Sequence, residues 1–218
     1  MQALLGNQSA TKLLLAFVVA GMVIFGTAIG ALMSPYTDII GMDRLGALTC
    51  LQMAGTPERA LRFLAEYNAT ELAAVRGLLI PGDVVFAWGY GLVFSGLLGL
   101  LTLRLDGAWR KAGAILMWAP LLASVFDVFE DLGLYNLVSH AIDTTPAELS
   151  PTVTLVTTIN ASIKYFLLAV VGPVYGLLGT FQAVRTHRSA GSWAVYISVV
   201  VVAASMAQKP LSEIPACF

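Results

Sequence analysis

Long runs of apolar residues separated by short polar breaks dominate the pattern of the chain. The first run, LLLAFVVAGMVIFGTAIGALM, occupies residues 13–33 and ends at Ser34-Pro35. A bilayer core about 30 Å thick needs about 20 apolar residues in helical form, so we interpret this run as a retained anchor and not as a secretory signal. Four further runs lie at about residues 83–103, 112–136, 153–180 and 192–207.

These five runs predict an all-α integral membrane protein, a bundle of five transmembrane helices forming a single domain over residues 1–218. The last run contains the β-branched stretch ISVVVVA, but an open strand in lipid leaves its backbone unpaired, so we predict a helix there too. Gly26 and Gly30 fit the small-residue pattern of closely packed membrane helices. Pro120 and Pro173 are predicted to bend the third and fourth helices.

The connection between the first and second helices, residues 34–82, carries an amphipathic pattern. Apolar residues recur at helical spacing through PERALRFLAEYNATELAAVRGLLI, with Glu and Arg between them. Thr56-Pro57 has the form of an N-cap followed by proline at the first helical position, and Asn68 has the form of a second N-cap. We therefore predict short amphipathic helices at about residues 57–80, lying on the outer membrane surface or over the bundle.

Positive charge in the short loops indicates the orientation. Basic residues precede the first helix and lie between helices two and three and between helices four and five; they are Lys12, Arg104, Arg110, Lys111, Arg185 and Arg188. The loop after the third helix, SHAIDTTPAELSPT, has two acidic residues and neither Lys nor Arg. By the positive-inside rule we predict a cytoplasmic N-terminus, a C-terminus outside, and an outer location for the long connection.

Composition excludes several functional classes. The chain is 58% hydrophobic and 11% charged, whereas soluble domains have about 45–50% apolar and about 25% charged residues. The net charge of −1 gives no electrostatic basis for binding nucleic acid. The two histidines, His140 and His187, lie far apart, and two cysteines are too few for a disulfide scaffold or a zinc knuckle, so no metal site is indicated and the question of a cofactor stays open.

Cys50 and Cys217 fall on the same outer side under this topology. The outer side is oxidising in bacteria and in secretory compartments, so a disulfide persists there. We predict a bridge between these two cysteines that fixes the C-terminal tail over the outer face. The alternative is two unrelated cysteines, one buried as a small apolar residue and one in a frayed tail.

The segment SVFDVFEDLGLYN, residues 124–136, places three acidic residues inside the third membrane helix. Asp127 and Asp131 are four residues apart with Glu130 beside them, so all three share one face. With the third helix ending near 138 and the fourth beginning near 153, Asp127 and Lys164 both lie about 16 Å below the outer loop. We predict a direct or water-bridged contact between these two side chains.

Each of these residues also has a purely structural interpretation. Asp83 is well placed to cap the second helix, because an acidic side chain satisfies the free N–H groups there. Glu130 and Asp131 are close enough to the outer end of their helix to extend toward headgroups or to face a water-filled dip. Asp127 with Lys164 then forms a structural clamp.

The excess of acid argues against an entirely structural role. Four acids, Asp83 included, face one lysine, and an unpaired charge at the bilayer centre costs about 2.5–3.5 kcal/mol on insertion scales. The charge of −3 must be relieved by protonation, by water, or by a cation or basic ligand. We predict a ligand-binding cavity in the outer half, lined by Asp83, Tyr90, Asp127, Glu130, Asp131, Asn160 and Lys164.

Four stretches together resemble a group of small, uncharacterised bacterial multi-pass membrane proteins. They are AGTPERA (54–60), GDVVFAWGYG (82–91), SVFDVFEDLGL (124–134) and the lysine of IKYFLL (163–168), so the likeness covers about residues 50–180. In that group an Asp opens one helix with Tyr-Gly behind it, another helix carries Asp-x-x-Glu-Asn, and a later helix carries a Lys. Asp131 stands here where Asn is usual.

The resemblance implies that Asp83, Asp127, Glu130 and Lys164 act as a set, and it brings no activity with it. Together with the topology it indicates the bacterial inner (plasma) membrane.

Three functions remain open. The first is binding or transport of a cation, a proton or an amphipathic small molecule in an outer-facing cavity. The second is a membrane enzyme for a lipid-like substrate, with Glu130 or Asp127 as general acid or base and Lys164 in support. The third is a structural subunit whose ion pairs fix helix register. Membrane lipid is the expected partner in each, and a homo-oligomer or a larger complex is compatible with all three.

Overall fold

The structure is a computed structural model that describes residues 2–143, 148–185, 189–213 and 217. These residues are almost entirely helical and include no strand. The α-helices are α1 Gln2–Thr27, α2 Ser34–Ile40, α3 Met42–Gln52, α4 Pro57–Leu64, α5 Ala69–Gly77, α6 Val84–Thr102, α7 Gly107–Leu116, α8 Ala119–Asp143, α9 Pro151–Tyr165, α10 Gly172–Val184 and α11 Ala190–Glu213. Wide π-helical turns join successive helices at Ala28–Met33, Leu78–Asp83 and Phe166–Val171.

Five segments of the described chain are long and apolar enough to cross a membrane. They are span 1 (Gln8–Ile40), span 2 (Ala69–Thr102), span 3 (Gly107–Asp143), span 4 (Pro151–Val184) and span 5 (Ala190–Gln208). The predicted all-α membrane bundle is therefore confirmed. The spans extend beyond most of the predicted boundaries because the helical backbone continues past the apolar runs into more polar ends.

Prolines interrupt the regular α-helix in four of the spans. Pro35 and Pro173 each follow a wide turn, Pro81 lies inside one, and Pro120 follows the break between α7 and α8. Proline lacks an N–H group and its ring clashes with the carbonyl four residues earlier, so the preceding turn widens or breaks. The predicted end of the first helix at Ser34-Pro35 is wrong, because the helix resumes there as α2.

Helices α3, α4 and α5 form a cap over one end of the bundle, here termed the cap end. Thr56 accepts a hydrogen bond from the Arg59 backbone N–H (3.4 Å), and Asn68 forms a capping box with Glu71, so both predicted N-caps are confirmed. Apolar cap residues pack against the adjoining end of α8; this buried core includes Leu48, Leu51, Leu64, Tyr67, Val75, Leu134, Leu137 and Val138. Of the two predicted placements, the structure shows the one over the bundle.

A disulfide joins Cys50 of α3 to Cys217, with Cα atoms 5.0 Å apart and a sequence separation of 167. Arg59 Nη2 also donates a hydrogen bond to the backbone oxygen of Cys217 at 2.9 Å. The predicted bridge is confirmed. It places Cys217 at the cap end, as four crossings after the cap require.

Span 2 is the most buried of the five. In its most hydrophobic window 67% of the residues are buried, against 17% for span 1 and 22% for span 5.

Glycine allows spans 1 and 2 to approach closely, since a Cβ at Gly89 would lie 2.7 Å from the backbone nitrogen of Phe25. A Cβ at Gly26 or Gly30 meets nothing within 4 Å in the described chain. The packing predicted at that glycine pair is therefore wrong within the bundle.

Candidate functional site

The predicted acidic residues and the lysine meet where α8 packs between α6 and α9. Asp127, Glu130 and Asp131 lie on α8, and Lys164 lies at the end of α9. Spacings of three and four residues bring the acids onto one face of α8. Asp127, Glu130, Asp131 and Lys164 are termed the acidic cluster below.

Lys164 bridges two carboxylates. Its Nζ lies 2.8 Å from Asp127 Oδ1 and 2.5 Å from Glu130 Oε2. Lys164 is 5% exposed, Asp127 4% and Glu130 0%. The predicted Asp127–Lys164 contact is confirmed, and its matched depth on antiparallel helices is the physical reason.

Two tyrosines surround this ion pair. The Tyr90 hydroxyl of α6 donates to Asp127 Oδ2 at 2.7 Å, so each oxygen of Asp127 has a donor. The ring centroid of Tyr165 lies 4.6 Å from Lys164 Nζ, within cation–π range. The Lys164 ammonium and both carboxylate oxygens of Asp127 therefore each have favourable partners.

Asp131 is the exception. It is 0% exposed, and neither of its carboxylate oxygens has a hydrogen-bond partner in the described part of the chain. Neither oxygen of Glu130 has a hydrogen-bond partner there, so Oε2 meets Lys164 as an ion pair alone. The alternative in which Glu130 and Asp131 extend toward headgroups is wrong, because both side chains are enclosed. A buried carboxylate without a partner is unfavourable, so its charge requires neutralisation.

The three carboxylates also have the spacing of a cation site. One oxygen from each of Asp127, Glu130 and Asp131 lies within 4.8 Å of the other two. Carboxylate oxygens are the ligands that hard cations prefer. With Lys164 protonated, the acidic cluster carries a formal charge of −2. This spacing fits the cation that the sequence offered as one way to relieve the excess acid, alongside protonation and water.

Asp83 belongs to the site through its charge and not as a helix cap. It makes no side-chain capping hydrogen bond, because its φ of −70° and ψ of −36° are helical whereas a capping residue is extended. The predicted cap at Asp83 is wrong for this reason. Its carboxylate interacts electrostatically with Glu130 and Asp131.

Asn160 lies one helical turn before Lys164 and is half-buried. In the residues that the structure describes, no hydrogen bond joins Asn160 to the acidic cluster. The predicted cavity lined by all seven residues stays a prediction. A cavity of about 480 Å³ between spans 1, 2 and 5 includes one of them, Tyr90, in its wall.

Gln52 and Thr158 connect the cap to the site, and neither was among the predicted site residues. Tyr165, next to Lys164, donates from its hydroxyl to Gln52 Oε1 at 2.5 Å. Thr158 Oγ1 donates to the backbone oxygen of Gln52 at 2.9 Å and accepts from the Gly55 N–H at 3.0 Å. The Tyr165–Gln52 contact joins residues 113 positions apart, so no local pattern signals it.

Fold and site together define a membrane-spanning helical bundle with a buried carboxylate–lysine centre. No protein-family model, no curated protein and no solved structure matches the chain. The resemblance to small bacterial multi-pass membrane proteins therefore stays a prediction, and function is inferred from the site itself.

Proposed function

We propose that the protein binds and transports a cation, a proton in the first instance, through the acidic cluster. Asp131 carries this proposal, because its buried carboxylate has no hydrogen-bond partner in the described chain and belongs to a cluster in which three acids share one lysine. In a low-dielectric interior such a charge is neutralised by a bound proton or another cation. Ionisable residues inside a membrane commonly mark ion pathways and proton relays.

Breaks in the backbone next to the cluster support movement there. The wide turn Phe166–Val171 begins two residues after Lys164. The turn Leu78–Asp83 ends at Asp83 and contains Ile80 in a non-helical conformation, with φ −130° and ψ 118°. Wide turns of this type occur frequently at functional sites, and interrupted helices surround the ion sites of many transporters.

Lys164 provides a means of exchange. Its ammonium holds one oxygen of Asp127 and one of Glu130, while Asp131 presents two acceptors without hydrogen-bond partners in the described residues. An arriving cation competes with the ammonium for the same oxygens. In this proposal the ammonium shifts among the carboxylates as the cation binds and leaves.

The orientation supports access from outside the cell. At the end opposite the cap, Arg104 lies between spans 2 and 3, Arg110 and Lys111 lie near the start of α7, and Arg185 follows α10. The disulfide at the cap end suits an oxidising compartment. We therefore place the N-terminus in the cytoplasm and the C-terminus outside, in the inner membrane of a bacterium.

Proton flux into liposomes tests the proposal. Purified protein is reconstituted around a trapped pH-sensitive dye, and a potassium diffusion potential, negative inside, is applied. We expect wild-type protein to acidify the interior, and Asp131→Asn or Glu130→Gln to abolish the flux. The matched control is Asp143→Asn, an exposed acid at the end of α8, which should retain it.

Two results would contradict the proposal. Wild-type flux equal to that of protein-free liposomes would exclude proton transport. Equal flux in wild type and in Asp131→Asn would show that protons pass elsewhere. The assay is run with choline as the outside cation and is then repeated with sodium in its place, which separates proton movement from sodium movement.

A further inference from the structure

The cavity between spans 1, 2 and 5 is an apolar groove at the side of the bundle. Its volume is about 480 Å³, within the range of roughly 300–1,000 Å³ that small-molecule sites occupy. Spans 1 and 5 are the least buried of the five, so the groove opens toward lipid. Its apolar walls include Met22, Phe25, Val93, Leu97, Val201 and Met206.

Tyr90 belongs both to this groove and to the site. Tyr90 lines the groove, and its hydroxyl donates to Asp127 Oδ2 at 2.7 Å. Phe25 and Met206, which also line the groove, pack against the buried cluster that contains Tyr90. Tyr90 therefore connects the groove to the negatively charged centre through a single hydrogen bond.

We propose that the groove binds an amphipathic cation, a long-chain primary amine, with its alkyl chain along the groove and its ammonium at Asp127 in place of the Tyr90 hydroxyl. This inference rests on the proposed function and adds a second class of cation for the same cluster. Charge complementarity selects the ligand, because three acids with one lysine favour a positive head. The apolar walls favour the chain.

A neutral chain of the same length would bury the same apolar surface without gaining the charge of Asp127. The wall also contains Ser198 and Ser205, but Ser205 already donates to the backbone oxygen of Val201 at 2.9 Å. The difference in binding affinity between a chain with a charged head and one with a neutral head is therefore the quantity to measure.

Dodecylamine and dodecanol provide the matched pair of ligands. Binding to the full chain in nanodiscs is measured by isothermal titration calorimetry, and empty nanodiscs correct for partition into lipid. We expect the amine to bind roughly tenfold more tightly than the alcohol, the gain typical of a hydrogen bond to a charged group. Val93→Trp fills the groove and should weaken both ligands, whereas Asp127→Asn should weaken only the amine.

Tyr90→Phe keeps the ring in the wall and removes the hydroxyl that competes for Asp127. We expect it to retain the alcohol and to bind the amine at least as tightly as wild type. This variant decides the question if Asp127→Asn does not elute as a folded protein. Loss of the amine preference in Tyr90→Phe would overturn the proposal.

Equal affinity for amine and alcohol in wild type would also overturn it, because the groove would then take neutral chains equally well. Unchanged amine binding in Val93→Trp would place the ligand elsewhere. Wild-type proton flux without an amine preference rejects this inference and leaves the proposed function standing. An amine preference without proton flux rejects proton transport and retains the groove site.

Discussion

Replacing Lys164 by methionine tests whether the ammonium holds the acidic cluster together. Methionine keeps an unbranched side chain of similar length and removes the charge. It leaves Asp127, 4% exposed, and Glu130, 0% exposed, without the cation that they share. Breaking a buried ion pair from one side costs about 3–5 kcal/mol, and we expect the upper part of that range because Lys164 serves two carboxylates.

Asp127→Asn should be less destabilising. Its amide oxygen still accepts a hydrogen bond from Tyr90, and Lys164 still has Glu130 at 2.5 Å. The loss is then that of a hydrogen bond to a charged group, about 1.5–3 kcal/mol. Neutralising all three partners, in Lys164→Met with Asp127→Asn and Glu130→Gln, should recover much of the stability that Lys164→Met loses, because no charge is left unpaired among them.

Equilibrium unfolding in mixed detergent micelles, followed by tryptophan fluorescence, measures these free energies. The chain contains four tryptophans. Lys111→Met, at an exposed position on α7, is the matched control and should change the free energy of unfolding by no more than about 0.5 kcal/mol. A loss below about 1 kcal/mol for Lys164→Met, or a greater loss for Asp127→Asn, would refute the reasoning.

Three further predictions concern positions outside the acidic cluster. Cys217→Ser removes the bridge to Cys50 and should lower the free energy of unfolding by at most about 5 kcal/mol, and two thiols in non-reducing mass spectrometry of wild type would disprove the bridge. Gly89→Ala should destabilise by about 1–3 kcal/mol through overpacking, while Gly26→Ala, with open space around it, should not. Burial raises the pKa of Tyr67 to about 12 from 10.0. The stabilisation that its neutral form provides is therefore full below pH 10 and is lost as pH rises through 12. Absorbance titration of the wild type against Tyr67→Phe measures this ionisation.

The sequence predicts the spans and the central ion pair because both depend on quantities that it carries directly. Apolar length gives the crossings, and the loop between spans 3 and 4 fixes the relative depth of Asp127 and Lys164. The disulfide between Cys50 and Cys217 followed from the parity of the crossings. None of these predictions needs side-chain detail.

What the sequence did not predict depends on local backbone conformation or on distant contacts. Asp83 does not cap α6 because a wide turn places it in helical conformation. Helices α2 and α3 were not predicted, although Ser34-Pro35 at the start of α2 has the same form as the helix-start signal at Thr56-Pro57. Gln52 reaches Tyr165 across 113 positions, and the enclosure of Asp131 follows from how α6, α8 and the cap pack together.

Infrared spectroscopy tests the central claim, that the acidic cluster holds a bound proton at Asp131. Spectra are recorded on purified protein at neutral pH in buffer depleted of metal ions. We predict the carbonyl-stretch band of a protonated carboxylic acid, shifted in D₂O, absent in Asp131→Asn and retained in Asp143→Asn. The absence of this band in wild type, or its persistence in Asp131→Asn, would contradict the account.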